Sequence, residues 1–87
     1  MDWEKSFQRA DGLEVTKVAD GYVVYHRERD RIHYLNHTAV VILELCTGAV
    51  KASEIPPFLQ EAWSLAAPPT AEVEECLGKL HAEGIVE

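Results

Sequence analysis

The stretch RIHYLNHTAVVILELCTG, residues 31–48, changes its hydrophobic period part-way along. Its first five residues, Arg31 to Leu35, alternate β-branched and aromatic side chains with polar ones, as a short strand does. From Ala39 onward apolar residues recur at helical spacing, through Ile42, Leu43 and Cys46. Asn36 stands between the two patterns as a helix N-cap, because its side-chain oxygen accepts a backbone N–H that the first turn leaves free. Gly48 stands where a C′ glycine closes a helix. A strand that runs straight into a capped helix organises the sequence on both sides.

Upstream, Leu13-Glu-Val-Thr-Lys-Val18 alternates as a half-buried strand does, and Asp20-Gly21 is a strong turn signal. Tyr22 to His26 forms a second strand, and the charged Arg27-Glu-Arg-Asp30 turns the chain into the third. Downstream, Ser53 is a candidate N-cap for a second helix with Ile55, Leu59, Ala62 and Trp63 on one stripe. Pro56-Pro57 falls in its first turn, where N–H groups lack helical partners anyway, and predicts an irregular or late start. Ala66 to Pro69 reads as a linker. Thr70 caps a third helix, whose positive end carries Glu72, Glu74 and Glu75 and whose apolar stripe is Val73, Cys76, Leu77 and Leu80. Gly84 ends it, and Ile85-Val86 either adds a short strand or packs on the core. The expected fold is α+β and winged-helix-like: a three-stranded antiparallel meander followed by three helices, βββααα. Residues 12–87 form the domain, and Met1–Asp11, with Trp3 and Phe7, an arm that folds back or anchors a partner.

Eighty-seven residues make one domain with a small core. No apolar run is long enough to span a bilayer, and the acidic N-terminus has no secretory h-region, so a cytoplasmic protein is expected. Residues 1–36 carry six Lys/Arg and seven Asp/Glu, and residues 37–87 two and eight. Nearly all of the net −7 therefore lies in the second half.

Four functions compete for the basic segment His26–Asn36. A nucleic-acid wing would sit beside a third helix with four glutamates and one lysine, which repels phosphate. His26, His33, His37 and Cys46 match no compact metal motif, so no metal is expected. No nucleophile elbow, phosphate loop or HExxH is present, and Cys46 and Cys76 lie on apolar helix faces as buried thiols, with a disulfide or redox role the alternative. Neither an enzyme nor a cofactor is expected. The fourth candidate is the third strand itself: an outer strand of a meander keeps one edge unpaired and accepts a strand from another chain, unless solvent or the arm covers it.

Asp20-Gly21-Tyr-Val-Val, Tyr34-Leu35-Asn36-His-Thr38-Ala39 and Ile42-Leu43-Glu-Leu45-Cys46-Thr-Gly48 together resemble the PqqD-like family, over about residues 12–87. Ser53-Glu54-Ile55, Leu59 and the late Val73, Leu77, Leu80 and Gly84-Ile85-Val86 agree with it. The resemblance implies a non-catalytic recognition element that binds the leader of a ribosomally made precursor peptide and presents it to a modifying enzyme, such as a radical SAM protein or another maturase. It implies neither nucleic acid nor membrane as partner. The leader is then expected to add as a strand along Arg31, Ile32, His33, Tyr34 and Leu35, against Val73, Cys76, Leu77 and Leu80. Arg27, Arg29 and Arg31 would attract an acidic leader, and replacing Val73 or Leu77 with Glu would weaken its binding. The rival classes are a winged-helix nucleic-acid binder, whose affinity would fall steeply with salt, and a structural subunit of a maturation complex.

Overall fold

The computed structural model describes residues 1–87 and follows the element order expected from the sequence. β1 (Leu13–Val18), β2 (Gly21–His26) and β3 (Arg31–Leu35) form one antiparallel sheet in the order β1-β2-β3. α1 (His37–Leu45), a single 3-10 turn (Ala52–Glu54), α2 (Ile55–Ala62) and α3 (Thr70–Ala82) come after it. The chain is an α+β protein with strands and helices segregated along the sequence.

Both hairpins close on local chemistry. Val18 pairs with Gly21, so the first turn is Ala19-Asp20 and Gly21 already belongs to β2. A glycine is needed there for space: a Cβ would lie 2.6 Å from the Tyr34 hydroxyl and 2.7 Å from the Leu35 carbonyl oxygen. That hydroxyl donates to the Asp20 carbonyl, which ties β3 back to the first turn. The second turn has no glycine, and Asp30 takes the left-handed conformation at φ 50°. Aspartate tolerates that region better than most residues, and its carboxylate accepts from the Tyr25 hydroxyl at 2.8 Å.

A single core of thirteen buried side chains holds the helices together. Ile42, Leu43 and Cys46 come from the α1 segment, Ile55 and Leu59 from α2, and Val73, Leu77 and Leu80 from α3. Val24 is the one strand residue in that set. The helices thus bury one another more than they cover the sheet, and Val15 and Ile32 stay 39% and 72% exposed. His26 is the one buried polar residue, and its Nε2 donates to the Gly84 carbonyl oxygen at 3.2 Å. Since a carbonyl only accepts, Nε2 carries the proton, and the buried Nδ1 has no partner.

The N-terminal arm is part of this core. Phe7 and Ala10 are buried, and Trp3 packs on the core's edge. Arg9 N–H donates to Cys46 O at 3.0 Å and Ala10 N–H to Ile85 O at 2.9 Å. Gly48 N–H donates to Phe7 O at 3.0 Å, and Glu87 N–H to Gln8 O at 2.8 Å. The arm is therefore wedged between the segment after α1 and the C-terminal residues, bridging to Thr47 on one side and Val86 on the other. Of the two alternatives for Ile85 and Val86, packing on the core is the one found: both side chains are buried, and Val86 makes a single isolated bridge to Arg9, not a strand.

Several helix ends differ from the expectations. Asn36 does cap α1, accepting from Ala39 N–H at 2.8 Å. α1 stops at Leu45 with Cys46 as its cap, however, so Gly48 lies beyond the C′ position. Its φ of +85° turns the chain back toward Phe7 instead. Ser53 is not a cap: it sits in the 3-10 turn, and its N–H donates to Trp3 O at 2.9 Å. The Glu54 carboxylate accepts from Lys51 N–H at 2.9 Å and starts that turn. The two prolines do enter the first turn of α2, with the 3-10 turn as the irregular lead-in. α2 is only eight residues long, so Ala62 and Trp63 lie at its exposed end and leave the buried stripe. Thr70 is the first residue of α3 and not its cap; Pro69 holds that position with no side-chain hydrogen bond. Gly84, at φ +74°, does end α3.

Two substitutions check this account by urea unfolding followed by circular dichroism. Phe7→Ala is expected to cost about 3 kcal/mol, because it empties a buried aromatic site. Asn36→Ala is expected to cost about 1 kcal/mol through loss of the cap.

Candidate functional site

β3 is an outer strand, so one side of its backbone has no partner strand. Beside its C-terminal end, between the start of α1 and the flank of α3, lies an open groove of about 360 Å³. Thr38, Ala39, Cys76 and Leu80, with Leu35, form its less exposed lining. Tyr34, Leu35 and Asn36 border it from the strand side, and Glu72, Glu75 and Lys79 from α3. The strand-to-helix switch at Asn36 positions this groove: the capped turn brings the first residues of α1 alongside α3.

The residues expected to bind a peptide divide into three groups. Leu35, Tyr34, Cys76 and Leu80 line the groove, although Leu80 is only 2% exposed and belongs mainly to the core. Val73 and Leu77 are fully buried and line no groove, so they support the fold and present nothing to a ligand. Replacing either with Glu would bury a charge in the core and unfold the domain, which makes that substitution a poor test of binding. Along β3 the side chains alternate: His33 and Leu35 are half-buried on the helix side, while Ile32 and Tyr34 are 72% and 59% exposed. His33 reaches the end of α3, with Nδ1 3.6 Å from the Glu83 carboxylate and Nε2 buried without a partner.

None of the three hairpin arginines borders the groove. Arg27 pairs with Glu14 at 2.9 Å, a surface contact worth little in stability. Arg29 lies over Gly84, where an added Cβ would come within 2.5 Å of its guanidinium carbon. Arg31 is exposed and pairs in register with His26. Sequence reasoning missed the charged border of the groove: Glu72, Glu75 and Lys79. A signal existed, because positions 72, 75, 76 and 79 form a stripe one residue off the buried 73, 77 and 80. Reading only the apolar stripe of α3 hid its neighbour.

The thiols are the most perturbed groups of this region. Cys46 is buried and donates to Ile42 O at 3.3 Å, and burial pushes it up to about 12. Cys76 is half-buried in the groove, and burial pushes it up to about 11. Both are free, and near neutrality both are protonated, which makes them weak nucleophiles and weak metal ligands. No group of three His, Cys, Asp or Glu side chains is arranged to hold a metal ion. No helix is long and apolar enough to cross a membrane.

Comparison of the chain with family models, curated proteins and solved structures finds no match. The PqqD-like resemblance therefore rests on the residues quoted for it above.

The buried thiols make alkaline stability a test of this geometry. In the unfolded chain a thiol ionises near 9, whereas folded Cys46 keeps its proton to about 12. The folded state binds more protons over that window, so the stabilising effect is complete below pH 9 and lost as the pH rises toward 12. The slope is up to about 1.4 kcal/mol per pH unit for Cys46, and smaller for the half-exposed Cys76, where solvent screens the effect. The urea midpoint is expected to fall between these pH values, and Cys46→Ala should flatten the fall while lowering the neutral-pH midpoint.

Proposed function

We propose that this protein binds an extended peptide along β3, with one or two apolar side chains seated in the groove beside α3. The observation that carries this is a free strand edge and an apolar-floored groove lying side by side, with Leu35 and Tyr34 common to both. Added strands gain affinity from backbone hydrogen bonds and specificity from pockets that take alternate side chains. The unpaired edge of β3 would supply the first, and the hollow over Ala39 and Cys76 the second. The N-terminal arm does not occupy this place, because its backbone is engaged with residues 46–48, 52–53 and 85–87.

The PqqD-like resemblance makes the peptide the leader of a ribosomally made precursor, held for a modifying enzyme that acts elsewhere on it. The protein itself then needs no cofactor and performs no chemistry. Phosphate is a poor alternative ligand, since α3 presents Glu72, Glu74 and Glu75 against a single lysine.

Calorimetric titration of the full chain with the leader encoded beside its gene tests the proposal. Wild-type protein is expected to bind. Ala39→Trp, which fills the groove at a half-buried position, should weaken binding by about tenfold or more while circular dichroism stays unchanged. A leader that gives no binding, or one indifferent to Ala39→Trp in a folded protein, would overturn it.

A further inference from the structure

The groove has a sign of charge as well as a shape. Glu72 and Glu75 border it, and Lys79 is its only cationic side chain. The Lys79 ammonium lies 3.2 Å from the Glu75 carboxylate, so the two largely cancel. Glu72 has no cationic side-chain partner, and the partial positive charge of the amino end of α3 offsets only part of its charge, so the border stays negative. At the far end of the same helix Glu83 faces His33 of β3. The amino end of α1 also borders the groove, but the Asn36 side chain already accepts from its Ala39 N–H. The arginines that would favour an acidic ligand are at the other end of the hairpin: Arg27 is held by Glu14, Arg29 lies over Gly84, and Arg31, exposed and in no ion pair, stands at the end of β3 away from the groove.

We infer that the segment bound along β3 is cationic: an apolar side chain fills the hollow over Ala39, Cys76 and Leu80, and a neighbouring Lys or Arg reaches Glu72. This rests on the peptide-binding proposal above and narrows it to one charge class. A chain laid over the groove removes water from its border, where charge pairs count for more than in open solvent. An acidic peptide would set carboxylate against carboxylate there, and a basic one would pair the free Glu72. Such complementarity acts on partner choice and association rate more than on total affinity.

Selection from a displayed library of random peptides of about ten residues on the immobilised full chain tests this, with the Ala39→Trp protein as the reference surface. Enriched sequences are expected to carry Lys or Arg within two positions of a large apolar residue. One such peptide, synthesised, should bind the Glu72→Gln/Glu75→Gln protein about five- to tenfold more weakly at low salt, and the difference should shrink in about 0.5 M NaCl. Enrichment of acidic or charge-indifferent sequences would overturn the cationic assignment and leave peptide binding standing. So would a basic peptide that binds the double variant as well as wild type. No enrichment over the Ala39→Trp surface would overturn both.

Discussion

The three helices pack chiefly on one another and leave much of the three-stranded sheet uncovered, and most of what this protein exposes follows from that arrangement. The helices meet one another first, through Ile42, Leu43, Ile55, Leu59, Val73 and Leu77, and only Val24 of the sheet joins them in the buried core. β2 is therefore anchored by a fully buried side chain, whereas β1 and β3 reach the core only through the partly buried Leu13 and Leu35. β1 also keeps a bare outer edge and an exposed Val15, but it contributes no residue to the groove. On β3 the consequence is a bare backbone edge, an exposed Ile32, and a groove against α3 bordered by Tyr34 and Leu35. In a larger domain another strand or helix would fill that place.

The N-terminal arm shows the opposite solution to the same shortage. At the bottom of the core Phe7 and Ala10 fill the space that the helices leave, and the arm's backbone pairs with chain on both sides. Groups that would otherwise be unsatisfied at the end of α1 and at the C-terminus find partners there. One gap is closed by the chain's own segment, and the other, at β3, stays open. The binding proposal rests on that asymmetry, because an edge already taken by the arm would have nothing to offer.

Charge then decides what kind of occupant suits the open gap. The basic residues that stand out in the hairpin are held by local partners or point into solvent, and they lie away from the groove. The acidic residues of α3 look in sequence like ordinary helix-start glutamates, which the positive helix end favours. Packing turns two of them into a border of the groove. The same residues thus have a local role in the helix and a second role set by what the helix packs against.

The sequence by itself determined the elements and their order. Strand alternation, the cap at Asn36, the turn chemistry at Asp20 and the glycine after α3 are local signals, written within a few residues of where they act. It also indicated the free edge of β3, since a meander leaves its outer strands unpaired. The sequence could not separate Val73 and Leu77 from Cys76, because all four apolar positions of α3 share one stripe. A rotation of about 100° per residue, resolved only against α1 and β3, sends Val73 and Leu77 wholly to the core, leaves Leu80 in the core at the groove's edge, and turns Cys76 to the groove. Ser53 and Thr70 failed as caps because each already lies inside a helical turn: Ser53 sits within the 3-10 turn, and Pro69 holds the cap position of α3, its carbonyl oxygen accepting the Val73 N–H. The fate of the arm and the sign of charge in the groove likewise depend on contacts between residues far apart in the chain. Those contacts exist only once the core has formed.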